Sequence, residues 1–318
     1  MCKVVINNMR KYSVVAYIAI FAAIAYVTMM TSWNQVLYSG LEFDAEYARD
    51  LPGITLPHTV SVDALGPFGT SRQSDIVIFY HVCNVGAQWK RIVAEQMTAL
   101  VESGLYGAAA EMYYGCSCAR CHAEVPEQMS LNLQDATKAK QLPAAPLYSH
   151  ENMTINAVIE YARDAKNAGK TVFYFHTKGV TGRSPNQEYW REFMTAYNVY
   201  MWPLCHALID RGFSTVGVNY QALMRPPHYS GNFWWASTAY LSKLSLITDT
   251  RNRLQAEMKL LSMREPGRHV NLGTELWFSC LGILGLYSPF SMGDAHARYR
   301  EIHAGHIAMP ETLEIKIF

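Results

Sequence analysis

Two apolar runs, Ile76–Phe79 and Thr171–Phe175, constrain the fold more than any other feature of the chain. Both are rich in β-branched and aromatic residues without polar alternation, which is typical of strands buried on both faces. An amphipathic helical pattern follows the first run and is closed by Gly104. Further helical patterns cover about residues 152–168 and 188–200. Strands that alternate with helices predict an α/β sheet with crossover connections.

The second apolar run leads directly into His176-Thr177-Lys178-Gly179. Open α/β sheets bind ligands at the carboxyl ends of their strands, so this turn is a candidate binding site. A cation, an imidazole and a hydroxyl placed together suit a substrate that bears phosphates. The alternative interpretation is a solvated turn with one hydrogen-bonded histidine.

A polar loop with two adjacent tryptophans spans His228–Ala236, with the sequence HYSGNFWWA. Indole faces stack on the apolar face of a sugar ring, while His, Ser and Asn side chains suit its hydroxyls. Successive strand residues point to opposite faces, so only one of Trp234 and Trp235 is expected to line a cleft. The alternative is a core strand, Phe233 to Ala236, entered through a tight turn.

The segments IVIFYHV, YFHTKGV, YWREFM and HYSGNFWWA together resemble a family of glycosyltransferases with a GT-A-like fold, over about residues 75–280. The resemblance implies an α/β nucleotide-sugar-binding sandwich with a mixed, mostly parallel central sheet. It also implies an enzyme that moves a hexosyl or pentosyl group from a nucleotide-sugar donor to a glycan or another hydroxyl acceptor.

The same resemblance assigns roles to individual residues. The donor-binding set at the two strand ends comprises Tyr80, His81, Asn84, Thr177, Lys178 and, on the following helix, Arg191. The acceptor-binding set comprises His228, Ser230, Gly231, Asn232, Trp234 and Trp235. The catalytic set comprises His176, Lys178 and Glu275. Glu275 matches the late acidic residue of the family and is expected to act as general base, the alternative being a helix-capping role.

The chain departs from the family because it contains no Asp-x-Asp pair. Mn²⁺ and Mg²⁺ prefer oxygen ligands, which a His-Thr-Lys turn supplies poorly. A divalent metal is therefore possible but unsupported, and no metal ligand is assigned. Lys178 is expected to offset the charge of the leaving nucleoside diphosphate instead.

The near-neutral charge of the chain argues against a nucleic-acid partner. It has 318 residues, a formal net charge of +1 and no run of Lys and Arg interleaved with aromatic residues. With 50% hydrophobic residues it is long enough to bury a full core, and we expect one catalytic domain over residues 75–318.

The amino-terminal region predicts a membrane anchor. Residues 13–33 contain a long uncharged apolar stretch, the basic residues Lys3, Arg10 and Lys11 precede it, and acidic residues follow. The positive-inside rule places residues 1–12 in the cytoplasm and the remainder across the membrane, with residues 34–74 as a Pro- and Gly-containing stem. In a eukaryote this layout is that of a Golgi-type enzyme with a lumenal catalytic domain. A cleaved signal peptide is the alternative.

The segment Cys116–His122 holds three cysteines and contains a Cys-x-x-Cys-His pattern. Zinc binding is disfavoured because the loop is too short to wrap four ligands around one ion. Haem attachment is disfavoured because it needs an axial partner and a pocket far from the sugar loop. A disulfide between two of the three thiols is expected if the domain lies in an oxidising compartment.

A second function remains open from the sequence. Without a two-carboxylate metal site, the domain can be a non-catalytic carbohydrate-binding membrane protein that keeps the aromatic loop. Affinity for sugars without affinity for nucleotides would identify it.

Overall fold

The structure is a computed structural model. It describes residues 58–61, 75–117, 120–133, 135–147, 149–180, 185–221, 227–262, 269–272 and 314–317. The predicted tail, the anchor at residues 13–33 and Glu275 lie outside these ranges. Among the described residues, no helix has the length and apolar character needed to cross a membrane.

Strands and helices alternate along the described chain as predicted. The strands are β1 His58–Ser61, β2 Ile76–Val82, β3 Glu111–Cys116, β4 Ala139–Gln141, β5 Thr171–His176, β6 Thr215–Gly217, β7 Tyr220–Gln221, β8 His228–Tyr229, β9 Trp234–Ser237, β10 His269–Asn271 and β11 Glu314–Ile317. The α-helices are α1 Trp89–Glu102, α2 Leu105–Ala108, α3 Cys121–Asn132, α4 Asn152–Arg163, α5 Pro185–Thr195, α6 Trp202–Asp210, α7 Thr238–Leu241 and α8 Leu254–Lys259. A π-helical turn, Ala196–Tyr200, continues α5.

The main sheet has the strand order β1-β11-β10-β6-β9-β5-β2-β3-β4. From β10 to β4 it is mixed and mostly parallel, because only β9 runs antiparallel to its neighbours β5 and β6. The predicted α/β fold class with a mixed, mostly parallel central sheet is therefore confirmed. One boundary differs, since β1 pairs with β11 although the sequence placed His58–Ser61 in the stem. Thr59 and Val60 are β-branched and suit an edge strand, a signal too short to stand out among prolines and glycines.

Helices cover both faces of the sheet and produce two cores. On one face, Ile78, Phe173 and Trp235 pack with the apolar sides of α1, α3 and α6. On the other face, Phe79 and Trp234 belong to a cluster with α4, α7 and α8. Burial on both faces explains why β2 and β5 read as continuous apolar runs rather than alternating ones.

The topology fixes where a ligand site is expected. From β2 the chain passes through α1 to β3 on one side, whereas β5 is added on the other side of β2 after α4. By the general rule for open α/β sheets, a ligand crevice is expected where the strand order reverses, which here is outside the carboxyl ends of β2 and β5. Both strand ends carry histidine, and His81 pairs with His176 in register.

We expect Gly217→Ala to destabilise the fold through a collision rather than through backbone strain. A Cβ at Gly217 would lie 2.7 to 2.9 Å from three ring atoms of Tyr229, whose hydroxyl is held by Thr215 and by the carbonyl of Val270. Overpacking of this kind costs about 1 to 3 kcal/mol. Urea unfolding measures the loss, with Gly107→Ala as matched control because a Cβ at Gly107 meets nothing within 4 Å. Equal stabilities of the two variants would contradict this packing.

Candidate functional site

His81 closes the first wall of the crevice as a buried, neutral side chain. Its Nδ1 hydrogen bonds with Oγ1 of Thr154, in the first turn of α4, over 2.9 Å, and only 3% of the residue is exposed. Burial lowers the pKa of His81 to about 4, although Glu151 opposes this shift. The bond joins the end of β2 to the amino-terminal turn of α4 and so brings that helix start to the edge of the sheet.

His176 is held through both of its ring nitrogens. Nε2 donates to the carbonyl oxygen of Gly231 over 2.9 Å, and Nδ1 lies 3.4 Å from Oε1 of Glu151. Burial lowers the pKa of His176, and Lys178 adds to the effect while Glu151 opposes it. The imidazole therefore ties the end of β5 both to the loop before β9 and to the start of α4.

Glu151 is the carboxylate at the centre of this arrangement. Its Oε2 accepts hydrogen bonds from the Tyr174 hydroxyl at 2.9 Å and from Nδ2 of Asn232 at 2.8 Å. Burial raises its pKa, but the influence of His176 and His81 together with the two hydrogen-bond donors outweighs burial, so the pKa of Glu151 lies below its usual value. The charged form is thus stabilised in a side chain that is 21% exposed.

The Gly231–Asn232 turn, termed the clamped turn, is held to this cluster by hydrogen bonds to His176 and Glu151. Both residues have positive φ, 97° and 59°, which glycine and asparagine adopt most readily. Besides the contacts to His176 and Glu151, the Gly231 N–H donates to Oε1 of Glu257 over 2.8 Å. A Cβ at Gly231 would collide with Sδ of Met194, so the backbone approaches its neighbour closely and only glycine fits.

Lys178 lies beside these groups at the mouth of the crevice. Its ammonium nitrogen is 3.8 Å from the centre of the Trp190 ring, a cation–π contact. Burial lowers the pKa of Lys178, and Glu257 and Glu151 partly restore it. The structure therefore brings His81, His176 and Lys178 together, as predicted, and holds the lysine between an aromatic face and two carboxylates.

Two other residues of the predicted donor-binding set, Tyr80 and Thr177, form hydrogen bonds within the protein instead. Tyr80 is fully buried and donates to Oε1 of Gln96 over 2.7 Å, and Gln96 in turn donates to the backbone oxygen of His176. Thr177 is 2% exposed, and its hydroxyl accepts the N–H of Cys83. The Tyr80 side chain is thus a support beneath the site, which corrects its assignment as a nucleotide contact.

Arg191 is likewise committed to the protein interior. It is 1% exposed and forms two hydrogen bonds to the carboxylate of Glu95, at 2.8 and 2.9 Å. A buried guanidinium needs such a partner because an unpaired charge is costly in the interior. The expectation that Arg191 contacts a phosphate is therefore wrong for this structure. Asn84 donates to Glu124 of α3 and is half-buried, so it remains at the rim of the crevice.

Both tryptophans of the acceptor set are core residues. Trp234 is 2% exposed and stacks on Tyr174, and Trp235 is 0% exposed and stacks on Phe173. Their indole N–H groups donate to Asn232 and to the Asn198 carbonyl. Neither ring face is open to a sugar, because each is covered by an aromatic residue of β5 or by a helix layer. The prediction that one indole stacks on the acceptor is wrong.

The remaining acceptor residues belong to the clamped turn. His228 is buried in β8, whereas Ser230 is half-buried and follows directly before Gly231. Asn232 uses its amide to join Glu151 and Trp234. Of the predicted acceptor set, Ser230 is the described side chain whose exposure suits contact with a ligand.

Sequence reasoning missed Glu151 and Glu257. Glu151 directly precedes the helical pattern that begins at Asn152, and a helix that leads into β5 must start at the carboxyl edge of the sheet. This rule was the signal by which Glu151 could have been found from the sequence. Glu257 lies on the short helix α8 and had no distinguishing pattern.

The cysteine segment forms a disulfide, as predicted. Cys116 at the end of β3 is bonded to Cys121 at the start of α3, with their Cα atoms 6.0 Å apart. His122 lies close enough that, among the described side chains, these three form a cluster of metal-ligand types. The two sulfurs are bonded to each other and are therefore not thiolate ligands. Cys118 lies outside the described residues.

Comparison with protein families gives one finding. A family model with the description "Domain of unknown function (DUF8361)" matches residues 78–284, which include most of β2, the clamped turn and β10. Comparison with curated proteins gives no match.

Gly231→Ala should cost more stability than positive φ alone explains. Gly104 also has positive φ, 78°, but a Cβ there meets nothing within 4 Å, so Gly104→Ala measures backbone strain without collision. We expect Gly231→Ala to exceed this control by about 1 to 3 kcal/mol in urea unfolding, because the new methyl group must displace Met194 or the turn. A difference near zero would contradict the close approach.

The buried neutral His81 predicts acid-sensitive stability. Its folded pKa of about 4 lies below the ordinary 6.5, so the unfolded chain takes up the proton first and stability falls as pH drops from 6.5 towards 4. Asn in place of His81 should remove on the order of 2 to 3 kcal/mol of this pH-dependent loss. The measurement is the free energy of unfolding against pH. The exposed His122, replaced by Asn, is the control, and an unchanged slope in His81→Asn would refute the assignment.

Proposed function

The chain belongs to the family described as domain of unknown function DUF8361, and we propose that it is a glycosyltransferase that uses a nucleotide-sugar donor and a hydroxyl acceptor. One observation carries the proposal. A histidine, a lysine and a carboxylate lie together at the carboxyl ends of β2 and β5, at the point where the strand order reverses. That crevice is where open α/β sheets bind nucleotides and their relatives.

Lys178 is the group that supports a diphosphate leaving group. Its ammonium is half-buried, and a charge in a partly desolvated position interacts more strongly with a developing negative charge than the same charge in water does. Burial lowers the pKa of Lys178, and the neighbouring carboxylates, Glu257 and Glu151, oppose that shift. We propose that Lys178 contacts the diphosphate and offsets its charge as the sugar–phosphate bond breaks.

A divalent ion, if one participates, requires ligands other than an Asp-x-Asp pair, which the sequence lacks. Glu151 and His176 are oxygen and nitrogen donors at the crevice, but both are engaged in the hydrogen bonds of the clamped turn. The proposed chemistry therefore relies on the side chains of the chain itself, with Lys178 in the electrostatic role.

The acceptor is proposed to lie against the turn that contains Ser230. Because both indoles are buried, recognition of the acceptor rests on hydrogen bonds from this turn rather than on aromatic stacking. Hydrogen bonds of this kind discriminate sugars by the positions of their hydroxyls. The acceptor is therefore proposed to be a glycan or another polyol.

A second candidate is a carbohydrate-binding protein without catalysis. The observation that favours it is that Arg191 is buried and bonded to Glu95 and to the backbone oxygen of Lys178, which removes one of the predicted phosphate contacts. Such a protein binds sugars and leaves nucleotide sugars unbound.

In either case the apolar segment at residues 13–33 is proposed to attach the protein to a membrane, with the amino terminus in the cytoplasm.

The full chain in detergent, screened for thermal shift with a panel of nucleotide sugars with and without Mn²⁺, tests the proposal. Stabilisation by one nucleotide sugar, followed by transfer of its sugar to a glycan acceptor, is expected. Lys178→Ala should then lower kcat by roughly thirty-fold to several-hundred-fold, equivalent to about 2 to 4 kcal/mol of transition-state stabilisation.

Lys170→Ala is the matched control for this variant. Lys170 also lies over an aromatic ring, 5.4 Å from the centre of Tyr161, but it directly precedes β5 and so lies at the opposite end of that strand from Lys178. Its loss should leave kcat unchanged. Binding of sugars without any stabilisation by nucleotide sugars would instead support the non-catalytic alternative, and equal kcat in both lysine variants would remove Lys178 from the reaction.

A further inference from the structure

When the His176 ring is neutral, no hydrogen lies between its Nδ1 and the carboxylate of Glu151. Since the carbonyl oxygen of Gly231 can only accept, Nε2 of His176 carries the ring proton. Nδ1 of a neutral ring then presents a lone pair, and it faces Oε1 of the Glu151 carboxylate at 3.4 Å. Two acceptors face each other. A single added proton converts this contact into a charge-assisted hydrogen bond.

The two oxygens of Glu151 differ in their surroundings. Oε2 accepts from both Tyr174 and Asn232 and is fixed by them. Among the described contacts, Oε1 has only Nδ1 of His176 as a polar neighbour. The side chain keeps 21% of its surface exposed, so the carboxyl group is not sealed away from a ligand in the crevice.

We propose that Glu151 and His176 act as one unit, which accepts the proton that the acceptor hydroxyl loses during sugar transfer. This inference rests on the proposed function. The acceptor oxygen forms a bond to the anomeric carbon as its O–H bond breaks, and the proton becomes shared between Oε1 of Glu151 and Nδ1 of His176. The bond from the anomeric carbon to the diphosphate breaks, and the diphosphate leaves with that electron pair, opposite Lys178.

The surrounding charges keep the pair ready to accept a proton. The other titratable groups that influence this region are His81 on β2, His150 before α4, Lys178 after β5 and Glu257 on α8. Burial lowers the pKa of His176. For Glu151, burial raises the pKa, but the two neighbouring histidines, His176 and His81, and its two hydrogen-bond donors lower it overall. Both groups are therefore unprotonated near neutral pH.

Glu151→Gln tests the proposal with little disturbance of shape. The amide oxygen of Gln can still accept from Tyr174 and Asn232, while its NH₂ group donates to Nδ1 of His176 and occupies the site that the proton would take. We expect a melting temperature equal to or above that of the wild type, and unchanged affinity for the nucleotide sugar. The transfer rate should fall by roughly 10²- to 10⁴-fold, the range of general acid–base catalysis.

The pH profile separates proton acceptance from a purely structural role. In the wild type, kcat/KM should fall as pH is lowered and the pair becomes protonated, and this acidic limb should disappear in Glu151→Gln. Glu257→Gln is the control, because Glu257 also anchors the Gly231 turn but does not face His176 Nδ1 in a hydrogen-bonding contact. It should weaken the turn and retain the acidic limb. An acidic limb that persists unchanged in Glu151→Gln overturns the proposal.

Nitrogen NMR of labelled histidines gives a readout that needs no transfer activity. The His176 resonances, assigned with a His176→Asn variant, should show a protonated Nε2 and a bare Nδ1 at neutral pH, and proton uptake at Nδ1 on acidification. In Glu151→Gln this uptake should move to lower pH. A bare Nε2 at neutral pH overturns the proton-acceptor assignment. If the NMR result is as expected but no nucleotide sugar binds to the wild type, the proposed function fails, and the transfer role fails with it.

Discussion

The pairing of β9 with β5 is the interaction on which the rest of the structure depends. Strand β9 is the antiparallel insertion that joins the parallel strands β5, β2, β3 and β4 to β6 and β10. Its two tryptophans lie directly opposite Phe173 and Tyr174 and stack on them, one on each face of the sheet. Each such aromatic pair contributes about 0.5 to 1.5 kcal/mol beyond the area it buries. Because one tryptophan packs in each core, the pairing joins the two cores at one strand. It also determines where the preceding turn must lie.

The positions of the site residues depend on that pairing. The turn before β9 reaches the crevice only because β9 is in register with β5, and Gly231 and Asn232 then meet His176 and Glu151. The polar contacts of this cluster are buried or partly buried. Burial of an unpaired polar group costs more than a typical hydrogen bond contributes. The arrangement is consequently stable as a set: removal of one member leaves a buried partner unsatisfied. This explains why so many residues of the polar loop are committed to one another rather than to open solvent.

The sequence predicted the fold better than it predicted the site. Continuous apolar strands and helices with one apolar face are local patterns, and they indicated the α/β sheet, the disulfide and the proximity of His81, His176 and Lys178. The roles of the tryptophans and Arg191 depend on facts that no local pattern contains. A tryptophan pair looks alike whether it faces a cleft or two cores. Arg191 on α5 is buried with its charge paired because Glu95, 96 residues away in the sequence on α1, lies opposite it. Glu151 was missed for the same reason, since its importance comes from its neighbours in space.

Under the proposed function, the corrected site changes which physical effect would recognise a sugar. A stacking platform would bind any pyranose with an apolar face, whereas a clamped turn beside a carboxylate and an imidazole selects by hydrogen-bond geometry. The motif HYSGN is then a positioning element: its glycine admits the close approach to Met194, its asparagine bridges Glu151 and Trp234, and Ser230 is left to meet the ligand. Because His176 holds the same turn through Nε2, any movement of its ring during proton uptake would also move the turn. In the proposed mechanism, proton acceptance and acceptor positioning are therefore coupled through one imidazole.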